Sequence, residues 1–219
     1  MEFFAVGDGV GDHSSSVYRF SYHDGIADVA ELGESGVILW DLALDNSLGM
    51  SLYAISDSGA LYRVDGSTGS LTYIGQPGND INALESCGGT LYGWGLSKLV
   101  TISPATGQIL TSRSVPYASS GDLMCAPSGA LYGIATSSGN DILVLFNANG
   151  TTTSTGITLP GIGFYAGIVD GEGNLYVSRN VAGQLQLYHV DLASHIVTLV
   201  GTQPSSLGMN GLAVNPLAW

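Results

Sequence analysis

Residues 37–75 read VILWDLALDNSLGMSLYAISDSGALYRVDGSTGSLTYIG. Four short runs, VILWDLAL, SLYAIS, ALYRVD and SLTYIG, alternate apolar and polar side chains and are separated by DSG and GSTG turns. A period of two, enrichment in Tyr, Val and Ile, and Gly/Asp/Ser punctuation every 8–12 residues or so mark consecutive antiparallel strands. No stretch of the chain carries a capped 3.6-residue apolar period, so essentially no helix is expected.

The same unit recurs. LYAI at Leu52 is followed by LYGW at Leu91, LYGI at Leu131 and LYVS at Leu175, with FFAV at Phe3 as a weaker copy; the spacings are 49, 39, 40 and 44 residues. A turn before the last strand of each unit repeats independently at Ser21, Asp65, Ser103, Asn147 and Asp191. Prolines repeat at Pro77, Pro116, Pro160 and Pro204. Three markers therefore agree on five units of about 44 residues, and four-stranded units of that size have the dimensions of propeller blades. The chain finishes MNGLAVNPLAW, which reads as an innermost strand with nothing behind it, and it begins with strands two to four and no first. The expectation is an all-β, five-bladed β-propeller forming one domain, latched by pairing of its N- and C-terminal strands. Its blades would span 209–219 plus 1–34, 35–78, 79–118, 119–161 and 162–208.

Composition narrows the class. Of 219 residues 45% are hydrophobic and 11% charged, about half the charge of an ordinary globular chain. Intrinsic disorder needs the opposite balance. The longest apolar runs, such as GVILW and DILVLF, fall far short of the roughly 20 residues that span a bilayer, so no membrane insertion is expected. A net charge of −13 would repel nucleic-acid phosphates and excludes that partner class. Lys98 is the sole lysine and Ser, Thr and Gly abound, which suggests an extracellular or periplasmic protein whose leader is absent from this chain. Cys87 and Cys125 have neither metal spacing nor a CxxC motif and read as small buried core residues rather than a disulfide.

The segments GLAVNP and LYRVDGSTGSLTYIG resemble blades of bacterial secreted β-propeller repeat proteins, built on a G-L-A-x-N-P…L-Y…T-G…I-G pattern. The resemblance covers nearly the whole chain and implies the propeller fold without implying an activity. In size the ring is similar to the tachylectin-type sugar-binding propeller, although no repeated sugar-site signature carries over. Five-bladed glycosidases share the fold but are longer, with a carboxylate set that does not align.

Most repeated polar residues have structural explanations. Asp65, Asn147 and Asp191 open turns, where such side chains cap nearby amides, and Tyr53, Tyr62, Tyr92, Tyr132, Tyr176 and Tyr188 recur in blade-packing register. The innermost strands are more informative. Asn82, Asp122, Ala166 and Asn210 follow the prolines at offsets of 5, 6, 6 and 6, with Asp41 near the same place in the second blade. The preferred reading is a hydrated channel; Ca²⁺ is the cation such an oxygen ring would take, though Ala166 interrupts it and no cofactor is otherwise implied. Asp8, Asp12 and His13 in GDGVGDH mix carboxylates and imidazole without EF-hand order. Tyr117 and Tyr165 lie in blade-joining loops outside the packing register, whereas Trp40 and Trp94 sit within strands and read as core. Recognition of a glycan, small ligand or protein partner at the loop-rich face, by a monomer and without catalysis, is the function this pattern favours. Asp41, Asn82, Tyr117, Asp122, Tyr165 and Asn210 would be its contacts. The alternatives are a hydrolase or lyase using Asp41 and Asp122 at the channel mouth, and a structural module of a larger secreted protein.

Overall fold

The computed structural model describes residues 2–8, 14–23, 26–47, 50–204 and 208–215. The chain opens with β1 (Glu2–Asp8), β2 (Ser15–His23) and β3 (Ile26–Glu34), three strands of one sheet. A second sheet follows from the quoted segment: β4 (Leu39–Asp45), β5 (Ser51–Ser56), β6 (Leu61–Val64) and β7 (Leu71–Gly75). The third is β8 (Ala83–Cys87), β9 (Thr90–Gly95), β10 (Lys98–Ile102) and β11 (Ile109–Ser114). The fourth comprises β12 (Ala118–Cys125), β13 (Leu131–Ser137), β14 (Asn140–Phe146) and β15 (Thr152–Thr158). The fifth is β16 (Phe164–Val169), β17 (Leu175–Val181), β18 (Gln184–Asp191) and β19 (Ile196–Pro204). Last comes β20 (Gly208–Asn215), which returns to pair antiparallel with β1, Phe4 opposite Ala213 and Glu2 opposite Asn215. All five sheets are four-stranded and antiparallel, and β20, β4, β8, β12 and β16 adjoin one another in a ring around the axis. The molecule is a five-bladed β-propeller, and no helix occurs among the described residues.

Strands buried on both faces explain why the chain is apolar throughout without long apolar runs. Five hydrophobic clusters bridge successive blades. Phe4, Val6 and Val17 meet Leu39, Leu42 and Leu52 across the first junction, and Tyr53, Ile55 and Leu61 meet Ile81, Leu84 and Val100 across the second. Trp94 packs edge-on to Phe146 across the third, centroids 5.0 Å apart, a geometry worth about 0.5–1.5 kcal/mol beyond the area it buries. Met124 and Ile134 meet Phe164 and Val177 across the fourth, and Ala166 meets Ala5, Tyr18 and Phe20 across the fifth.

Asp65 accepts the Ser67 and Thr68 amides at 2.8 and 3.1 Å, and Asp191 those of Ala193 and Ser194 at 2.8 and 3.1 Å. These residues cap turns, as their position implies.

The cysteines differ from expectation. Cys87 and Cys125 form a disulfide with Cα atoms 5.4 Å apart. Each terminates its inner strand, β8 or β12, so the bond ties the third blade to the fourth.

Candidate functional site

All inner strands begin at one end of the channel and finish at the other. At the starting end, blade-joining loops and the first residues of the inner strands enclose an open cup of about 400 Å³. Trp40 and Tyr165 line it, with Ile38 and Leu96 as further apolar surface and Asp80, Asn82, Ser119 and Ser120 as polar groups. A β-carbon on Gly121 would stand 2.5 Å from the Phe164 carbonyl oxygen and 2.7 Å from the Tyr165 Cα. Only glycine lets β16 close against β12 there and carry Tyr165, 47% exposed, to the rim. Buried Asp141 fixes the same corner by accepting the Phe164 amide at 3.0 Å and the Ser120 hydroxyl at 2.8 Å.

Beneath the cup lies a layer of acids. Leu42 pairs with Ala54, Leu84 with Gly93, Leu123 with Gly133 and Gly167 with Val177, which sets these four residues at one level. The preceding residues, Asp41, Ala83, Asp122 and Ala166, form the layer above, together with Gly211 opposite Val6. Asp41 and Asp122 are 0% exposed. Asp41 accepts the Leu42 amide and, from the next blade, the Leu84 amide, both at 2.7 Å. Asp122 accepts the Gly167 amide of its own next blade at 2.7 Å. Glu85 repeats the pattern, accepting the Ser86 amide at 2.7 Å and reaching the Cys125 amide at 3.3 Å. Gly211 supplies the room, since a β-carbon there would lie 2.7 Å from the Asp41 Cα and overlap its Oδ1.

Loss of hydration pushes the Asp41, Glu85 and Asp122 carboxyls well above the ordinary range; Asp41 and Asp122 lie fully buried in this layer, whereas Glu85 is part-buried two residues further along its strand, beside a separate cavity. The Asp41 and Asp122 carboxyls also come within hydrogen-bonding reach of each other. Asp122 Oδ1 has no protein donor, and a proton shared between the two acids would satisfy it. The three acids act as brackets: each takes an amide of the following blade and joins the second blade to the third, the third to the fourth and the fourth to the fifth.

The sequence candidates thus separate. Tyr165 and Asn82 line the cup. Asp41 and Asp122 lie sealed beneath it. Tyr117 packs part-buried on the core between the third and fourth blades and is not part of the cup lining. Asn210 belongs to β20, with its side chain outside the described residues, as are the side chain of Asp8 and all of Asp12 and His13. The expected oxygen ring is not level: Asn82 and Asn210 precede Ala83 and Gly211 by one residue and fall on the cup side of the layer. Among the described residues no three or more His, Cys, Asp or Glu side chains are arranged to hold a metal ion. Trp40, read as core, both packs on the core and lines the cup. Glu85 was not singled out because it lies outside the proline register; Asp141 lies within a strand with no repeated counterpart.

The fold and site define a small five-bladed propeller with an aromatic-lined cup over a closed channel. Similar structures include a chain of a nidogen/laminin complex, with a TM-score of 0.63 and 12% identity over 97% of this chain and 98% of that one. TolB from Acinetobacter baumannii gives 0.62 and 14% over 91% of this chain and 52% of that one. Virginiamycin B lyase from Staphylococcus aureus gives 0.51 and 12% over 89% and 69%. At these identities the likeness is one of fold. No family model matches the chain, and no curated protein matches its sequence.

Proposed function

We propose that the chain is a non-enzymatic recognition module whose cup binds a glycan, a small ligand or a side chain of a protein partner. The observation that carries this reading is the contrast between cup and channel. The cup is open, falls within the roughly 300–1,000 Å³ of ordinary ligand sites, and combines aromatic faces with a few polar groups. The acids that a hydrolase or lyase would use are sealed from solvent and committed to backbone amides, so no substrate reaches them. A secreted setting, extracellular or periplasmic, is supported by the disulfide, a bond that persists in oxidising compartments. It also agrees with the resemblance to secreted bacterial repeat propellers. The same fold would serve as one module of a larger secreted protein, acting as a monomeric unit.

A glycan array and a panel of chromogenic glycosides test the reading together. Array hits that vanish in Tyr165→Ala, with an unchanged melting midpoint, are expected. Glycoside turnover that disappears in Asp122→Asn would overturn it in favour of catalysis.

A further inference from the structure

The cup's polar groups are biased toward accepting hydrogen bonds. Asp80 presents a carboxylate that no hydrogen bond or ion pair engages among the described residues. Lys98 borders a neighbouring cavity with Asp80 and forms no ion pair with it. Asn82 Oδ1 is buried without a donor. Ser119 donates its hydroxyl proton to the Gly121 carbonyl at 2.7 Å and Ser120 to Asp141 at 2.8 Å, so each hydroxyl has its proton committed and keeps only acceptor capacity for a ligand. The donors facing them are neutral: the Asn79 and Asn82 amide nitrogens and the Tyr165 hydroxyl. No Lys or Arg lines the cup, and the whole chain carries −13. An anion entering would lose its hydration and meet no positive charge. A cation meets a carboxylate, bare acceptors and two electron-rich aromatic side chains, Trp40 and Tyr165, the combination that recognises organic ammonium groups.

We infer that the cup receives the ammonium group of a small organic cation, held between the Trp40 and Tyr165 rings with Asp80 and Asn82 as its polar partners. This rests on the recognition reading above and names the ligand class for that same cup. An amino sugar and a quaternary ammonium compound share the chemistry, and the probes distinguish them.

Calorimetric titration of the full chain compares two matched pairs, glucosamine with N-acetylglucosamine and choline with its neutral isostere dimethylbutanol, at a pH where the amine is charged. The charged member of at least one pair is expected to bind at least tenfold more tightly than its neutral partner, with about 1.4 kcal/mol corresponding to each factor of ten. Preference within the first pair identifies an amino sugar, and within the second a quaternary ammonium. Asp80→Asn should reduce that preference about tenfold and leave the melting midpoint unchanged, because the exposed carboxylate supports no other group. Equal binding of charged and neutral members, abolished in Tyr165→Ala, overturns the charge inference and leaves recognition standing. Absence of binding by all four probes overturns the inference as well, and the glycan array then decides separately whether the recognition reading falls with it.

Discussion

A carboxyl group withdrawn from water keeps its proton to higher pH than a free one, and Asp41, Glu85 and Asp122 are all withdrawn. Their folded-state pKa values lie above the unfolded values of 3.8 and 4.5, so the folded chain binds more protons than the unfolded one across the interval between. The stability these groups contribute is fully present below about pH 4 and is lost as pH rises through their elevated pKa values. Asp65 and Asp191 are lowered, first by the Ser67 and Ser194 hydroxyls, and act with the opposite sign at the acid end. The melting midpoint is therefore expected to fall between pH 5 and pH 8. Asp122→Asn replaces the protonated acid with an amide of the same shape, whose oxygen still accepts from Gly167 and whose nitrogen donates to Asp41. That variant should show a flatter midpoint over the same interval; an identical slope would show that the acid pair does not hold the proton. Asp122 was legible because it follows a proline at a repeated offset, and Asp41 because it falls near the corresponding place in the second blade. Their burial was not, since one sequence gives a residue's place in its own blade and says nothing of the neighbour that closes over it.

Among elements, the inner strands carry the ties between blades. β8 and β12 are joined by the Cys87–Cys125 disulfide and by the Glu85 bracket, on top of the packing around Trp94 and Phe146. The disulfide closes a sequence separation of 38 residues, and loop-closure entropy sets its contribution at roughly 4 kcal/mol. Reduction, or Cys87→Ser with Cys125→Ser, should lower stability in chemical denaturation by about 3–4 kcal/mol, with far-ultraviolet circular dichroism unchanged before the transition. A loss under about 1 kcal/mol would mean that the unfolded chain keeps this junction together. The pairing was missed because neither cysteine belongs to a spacing motif, yet a signal existed. Both precede a Leu-Tyr pair, Cys87 by 4 residues and Cys125 by 6, which places both near the ends of adjacent inner strands. The strands themselves were legible almost to the residue, because hairpins are local and their turns advertise themselves. β4 to β7 reproduce the four quoted runs.

For the whole molecule, ring closure depends on β20. Removing residues 209–219 takes Ala213 from the first inter-blade cluster, strips β1 of its partner and uncovers the Asp41 layer beside Gly211. An exposed strand edge and an opened core favour aggregation. The truncated chain is expected to be insoluble or to bind hydrophobic dyes, and a monomer with an unaltered melting transition would refute closure as the source of stability. The circular plan was legible from the repeat period and the incomplete end units. The cup was legible only in part: Tyr165 stood outside the packing register, whereas Trp40 looked like core because it lies within a strand, and it both packs on the core and lines the cup. Because Glu2 sits opposite Asn215 in the composite sheet, the place where the covalent thread starts is incidental to the architecture. A version permuted to begin in the turn between β13 and β14, with its old ends joined by a short linker, would have the same ring, and its non-covalent latch would move to the pairing of β13 with β14.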